Sequence, residues 1–123
     1  MLVALGGAMG SAARYKFSGW VLHHTITWRF PASTFTVNVL GCLAAGVIAG
    51  LITKHDFFTP DTRLLLITGI LGGFTTFSAF GLETMLLLKR GELLIATCNV
   101  VLSVVAGLLA LWIGLEWVAA RSQ

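Results

Sequence analysis

Charge is what this sequence has least of. Charged residues fill 11% of its 123 positions, against roughly 25% in soluble domains. A chain of single-domain size with 57% apolar residues and a mean hydropathy of +0.92 has too little interior to hide that surface from water. Disorder needs low hydrophobicity, and a coiled coil needs charged flanks, so both are excluded. Acids are scarcer still, at five. No pair of acids, no Ser-His-Asp set and no metal-ligand cluster emerges, which argues against an enzyme. The three histidines, His23, His24 and His55, fall between apolar runs. Cysteine is limited to Cys42 and Cys98. Both sit inside apolar runs and read as small hydrophobes rather than disulfide or metal partners. The balance is basic, +3 with pI near 9.3. Yet the eight Lys and Arg form no patch, and Lys89-Arg90 is the one adjacent pair. Nucleic acid is therefore not a partner. Cations scattered at the ends of apolar runs meet lipid headgroups instead.

Long uncharged runs are what the chain does have. Phe30 to Thr53, Leu64 to Leu82 and Leu93 to Leu115 carry no charge, and each approximates the ~20 residues that cross a bilayer core. A fourth run, Met1 to Val21, is interrupted by Arg14 and Lys16. A cleavable signal peptide would carry its charge before the apolar stretch, not after it. The expected fold is all-α, a single four-helix transmembrane domain over residues 1–123. The expected connections are short. Thr59 or Asp61 can cap the third helix, with Pro60 in its first turn.

Four crossings put both termini on one side, with Lys54, Arg63 and Arg121. Arg29, Lys89 and Arg90 lie on the other, joined more weakly by Arg14 and Lys16. A clear cytoplasmic excess of Lys and Arg normally sets orientation. A near tie permits insertion both ways, and an antiparallel homodimer is then the natural closed assembly. Gly6-x-x-x-Gly10, Gly46-x-x-x-Gly50 and Gly69-x-x-x-Gly73 each place two glycines on one helix face. Such faces let helices approach closely, within a subunit or between subunits.

The third helix is the most informative. Its centre reads Gly72-Gly73-Phe74-Thr75-Thr76-Phe77-Ser78-Ala79-Phe80. Adjacent glycines beside β-branched threonines make weak helix. A break there frees carbonyls that must face protein, water or an ion. The alternative is a glycine packing seam. Phe77 and Phe80 share a face, interleaved with the hydroxyls of Thr75, Thr76 and Ser78. Aromatic ring edges are positive. Edges and hydroxyl donors together can hold a small dehydrated anion without a full charge that would trap it. Asn38 lies in the second helix one turn from Thr34, and Asn99 and Ser103 repeat that spacing in the fourth. An amide in hydrocarbon must face a partner or water. Arg14 is an intramembrane cation that either serves function or snorkels. Glu83 is either a helix-end acid or a buried partner for a hydroxyl.

Taken together these residues resemble the Fluc, or CrcB, family of fluoride channels. The likeness runs from Gly6-Gly7-x-x-Gly10 to Arg14, through Thr36-Val37-Asn38, to Gly72-Gly73-x-Thr75-Thr76-Phe77-Ser78-x-Phe80. It implies four transmembrane helices per subunit, the third broken at its centre, in an antiparallel dual-topology homodimer. It implies passive, fluoride-selective ion transport across the bacterial inner membrane, giving fluoride resistance. By position, Phe77, Phe80, Asn38, Ser78, Thr76 and Ser103 would line the fluoride pore, and Arg14 a vestibule. A structural sodium ion at the dimer centre would be held by main-chain carbonyls of Gly72 and Thr75. Ala79 stands where many relatives carry a hydroxyl. Two rival functions remain. A small dual-topology multidrug exporter would want an acid within the first helix, where Arg14 stands. A non-transporting membrane helper subunit would pass no ion.

Overall fold

The computed structural model describes residues 1–56 and 58–121, and every regular element among them is helical. Helix α1 spans Leu2–His24 and α2 spans Ala32–Lys54. The third segment begins with α3, Pro60–Arg63, and continues as a π-helix over Leu64–Leu71 into α4, Gly72–Phe74. Then α5 covers Phe77–Lys89, and α6 covers Leu93–Ala120. Thr59 caps α3, its hydroxyl accepting from the Thr62 N–H at 3.2 Å, with Pro60 in the first turn. Gly91 turns the chain between α5 and α6 at φ +78°, a conformation that glycine adopts without penalty.

Three segments are long and apolar enough to cross a membrane: Ala32–Lys54, Pro60–Lys89 and Leu93–Ala120. The first helix falls short of that measure. The reason is its composition, since Gly6, Gly7, Gly10, Ser11, Arg14, Tyr15 and Lys16 dilute its apolar residues. It nonetheless packs along the third segment. At about 1.5 Å per residue, α6 outruns a bilayer core of about 30 Å. Its last turns carry the exposed Trp117, with the Arg121 guanidinium 4.2 Å from that ring's centroid. Trp and Arg at the end of an apolar run are the residues that a headgroup interface attracts.

The helices pair as α1 with the π-helix and α4, and as α2 with α6. Glycines make both seams, and both lie inside the chain. A Cβ at Gly6 would come within 2.7 Å of the Leu65 carbonyl oxygen, and one at Gly69 within 2.9 Å of the Gly6 Cα. A Cβ at Gly10 would overlap the Ile70 carbonyl oxygen. On the other seam, Gly46 meets the Leu111 backbone, Gly50 the Val118 side chain and Gly114 the Leu43 carbonyl. Lipid provides no hydrophobic drive for helix association, so close backbone contact takes its place. Most large apolar side chains point outward, and among the described residues Val37, at 1% exposure, is the largest apolar one that is fully buried. The polar side chains of Thr34 and Asn99 are buried instead.

Candidate functional site

The site lies where the third segment leaves helical geometry. Gly72 is helical (φ −60°, ψ −38°). Thr75 (φ −84°, ψ 157°) and Thr76 (φ −149°, ψ 118°) are extended. The glycines therefore stay in the helix, and the two β-branched residues, which lose least by extending, leave it. Thr75 closes the helix before the gap, its N–H and its hydroxyl each donating to the Leu71 carbonyl at 2.9 Å. Thr76 opens the helix after it, its Oγ1 accepting from the Ala79 N–H at 3.2 Å.

Asn38 holds the gap from α2. Its Nδ2 donates to the Thr76 carbonyl and its Oδ1 accepts from the Thr76 N–H, both at 2.8 Å. One side chain thus satisfies both main-chain groups of an extended residue, as a neighbouring strand would. Two consequences follow for the carbonyls nearby. In an unbroken helix the Thr76 N–H would bond to Gly72, but Asn38 takes it. The Ala79 N–H would likewise bond to Thr75, but the Thr76 hydroxyl takes it. Gly72 and Thr75 are each denied their helical donor.

That pair is the set expected to hold sodium. Among the described residues no three His, Cys, Asp or Glu side chains gather as metal ligands, and the two carbonyls are neutral oxygens. Neutral carbonyls suit a hard monovalent cation better than magnesium, which wants six rigid ligands. The Thr75 carbonyl also accepts a bond of 3.5 Å from the Arg14 guanidinium, at the outer limit of such contacts. Gly72, Thr75, Thr76, Asn38 and Phe77 line a hollow of about 400 Å³ together with Gly41 and Cys42.

A second hollow, of about 800 Å³, also has Thr76 in its wall. Arg14, Ser18, Thr34, Thr76, Ser78 and Glu83 are in its wall. The Thr34 hydroxyl donates to Glu83 Oε1 at 2.7 Å, while Glu83 Oε2 is buried without a hydrogen bond. Of the two readings of Glu83, the structure selects the partner of a hydroxyl. The Ser18 and Ser33 hydroxyls are in contact. The Thr76 and Ser78 hydroxyls lie 3.3 Å apart. Because Thr76 Oγ1 already accepts from Ala79, its proton is free to turn toward Ser78 or the hollow. The Phe77 and Phe80 rings lie 5.6 Å apart, tilted by 46°. Phe77 is 84% exposed on this chain.

The structure thus brings together Asn38, Thr76, Ser78, Phe77 and Phe80, with Arg14 in the adjoining hollow and Gly72 and Thr75 behind. Ser103 stands apart from them, its hydroxyl donating to Asn99 Oδ1 at 3.4 Å. Ser18 was missed by sequence reasoning, since a lone serine on a helix gives no signal. Thr34 was noted only as one turn from Asn38; its partner, 49 residues away, has no local signature.

The model of the family described as CrcB-like protein, Camphor Resistance (CrcB), matches residues 1–115. The chain is 57% identical over 123 residues to a fluoride-specific ion channel FluC of Methylobacillus flagellatus, covering 100% of this chain and 96% of that one. It is 42% identical over 113 residues to the protein of that name from Flavobacterium psychrophilum, covering 92% and 90%. It is 45% identical over 115 residues to another from Rhizobium etli CFN 42, covering 94% and 91%.

Proposed function

The chain belongs to the CrcB family, and on that premise we propose that it is a fluoride-specific ion channel. The observation that carries the mechanism is the juxtaposition at Thr76: two phenylalanine rings side by side next to hydroxyls, at a gap in the helix. Fluoride is small, strongly hydrated and an avid acceptor. To leave water it needs donors in quick succession and no site deep enough to trap it. The Thr76 and Ser78 hydroxyls supply donors. The Asn38 amide nitrogen carries two hydrogens, of which one is spent on Thr76 and one is left for the hollow. The edges of Phe77 and Phe80 supply weak positive potential. Arg14, half-buried in the larger hollow, draws anions to the entrance without standing among the rings. Transport is passive: this reading invokes no coupled step.

The working unit in this reading is an antiparallel dual-topology homodimer in the bacterial inner membrane. The near tie of cations supports mixed insertion. Both glycine seams are spent within the chain, so a partner would dock elsewhere, over the exposed Phe77 and the hollow beside Gly72. One chain offers the Gly72 and Thr75 carbonyls. Two chains about a two-fold axis would offer four, enough to hold a sodium ion as a structural bridge. Fluoride efflux from liposomes holding only the purified protein tests the proposal. The expected result is rapid fluoride efflux with chloride retained. No fluoride efflux from folded protein, or equal chloride efflux, would overturn it.

A further inference from the structure

The helix that carries both phenylalanines is poorly anchored by packing. Leu87 is the only buried residue of α5, and the gap at Thr75 and Thr76 uncouples α5 from the helix before it. Within the chain, polar bonds are what hold its rotation. Asn38 holds its start, and Thr34 holds Glu83 from α2. The third bond comes from α6, where Asn99 is 1% exposed. Asn99 Nδ2 donates to Thr84 Oγ1 at 3.0 Å, and the Thr84 hydroxyl donates to the Phe80 carbonyl at 2.8 Å. Thr84 has one proton and gives it to Phe80, so the direction of the relay is fixed. Thr84 stands four residues beyond Phe80 and seven beyond Phe77, and these spacings put all three on one helix face.

We infer that Asn99 is a positioning residue for fluoride conduction: through Thr84 it locks the rotation of α5 and so the direction in which Phe77 and Phe80 face. It touches no ion. Simple glue between α5 and α6 would be replaceable by apolar packing of equal size, and conduction would survive the exchange. A lock on rotation would not survive it, because apolar packing allows the helix to turn.

The inference rests on the channel reading, and three variants separate the two. Asn99→Leu removes the amide but strands nothing, since Thr84 keeps its bond to Phe80 and Ser103 can turn to its own helix. It should fold, match wild type in thermal stability in detergent, and conduct fluoride about tenfold more slowly, the rate equivalent of one hydrogen bond's worth of positioning. Thr84→Val strands the buried Asn99 amide and should lose both stability and flux. Asn99→Leu added to Thr84→Val should restore stability and leave flux low. Wild-type flux in Asn99→Leu, or flux that recovers along with stability in the double variant, would overturn the inference. Wild-type liposomes are the reference. No efflux from them removes the channel reading and this inference together, whereas efflux that Asn99→Leu equals removes this inference alone.

Discussion

Replacing Asn38 with leucine tests the centre of the structure. Leucine is close in volume and keeps α2 helical, but it takes away both bonds to Thr76. Each bond contributes about 1 kcal/mol net, and each main-chain group left without a partner costs about 1–3 kcal/mol. The sum for two groups is about 2–6 kcal/mol when Thr76 stays extended. The chain has one escape: the Thr76 N–H can return to the Gly72 carbonyl and heal the helix. That would cap the loss near the lower bound, but it would consume an oxygen assigned to sodium. The two effects are therefore coupled. Asn38→Leu should lower the melting temperature of the detergent-solubilised protein by at least roughly 8–16 °C, taking about 2 kcal/mol per chain, about 4 kcal/mol for a pair, and the slope for a pair of such chains. It should also abolish any gain in melting temperature on adding sodium. Thermal unfolding of wild type and variant with sodium, and with a large organic cation instead, reads both effects, and liposome efflux reads conduction. An Asn38→Leu protein with unchanged melting temperature and undiminished response to sodium would refute the reasoning. Asn38 would then be an ordinary interhelical contact, and Gly72 would not depend on it.

Phe77→Ile or Phe80→Ile keeps apolar bulk but loses the ring quadrupole. Each should leave a folded protein with strongly reduced fluoride efflux, and the double change should be as low or lower; a folded double variant at the wild-type rate would end the pore role of the rings. Gly10→Val drives a side chain into the Ile70 carbonyl and the Phe74 backbone, which cannot yield. It should cost about 1–3 kcal/mol or prevent assembly, whereas Gly19→Ala, with open space around it, should be tolerated in the same melting assay. Cysteine labelling of a loop position from each side of the membrane should tag two populations of molecules. Strictly one-sided labelling would exclude dual topology.

Hydropathy and spacing are local properties, and they carry what the sequence by itself determined. A run of uncharged residues must leave water wherever the rest of the chain lies, so helices starting near Phe30, Leu64 and Leu93 could be read directly and lie within a few residues of those observed. The motif from Gly72 to Phe80 could be read for the same reason, since it consists of neighbours along the chain. The lower hydropathy of the first helix was visible too, in Arg14 and Lys16. The partners of the polar side chains were decided only by tertiary structure. Asn38 finds Thr76 across 38 residues and Thr34 finds Glu83 across 49, because α2 crosses the third segment at those heights and not a turn away. Gly46 and Gly50 serve α6, and Gly6 and Gly10 serve the π-helix, while nothing in G-x-x-x-G names its partner. The location of the gap was decided in the same way. Composition weakens the whole stretch from Gly72 to Thr76, but the backbone opens at Thr75 and Thr76, where a side chain from another helix takes both main-chain groups of Thr76.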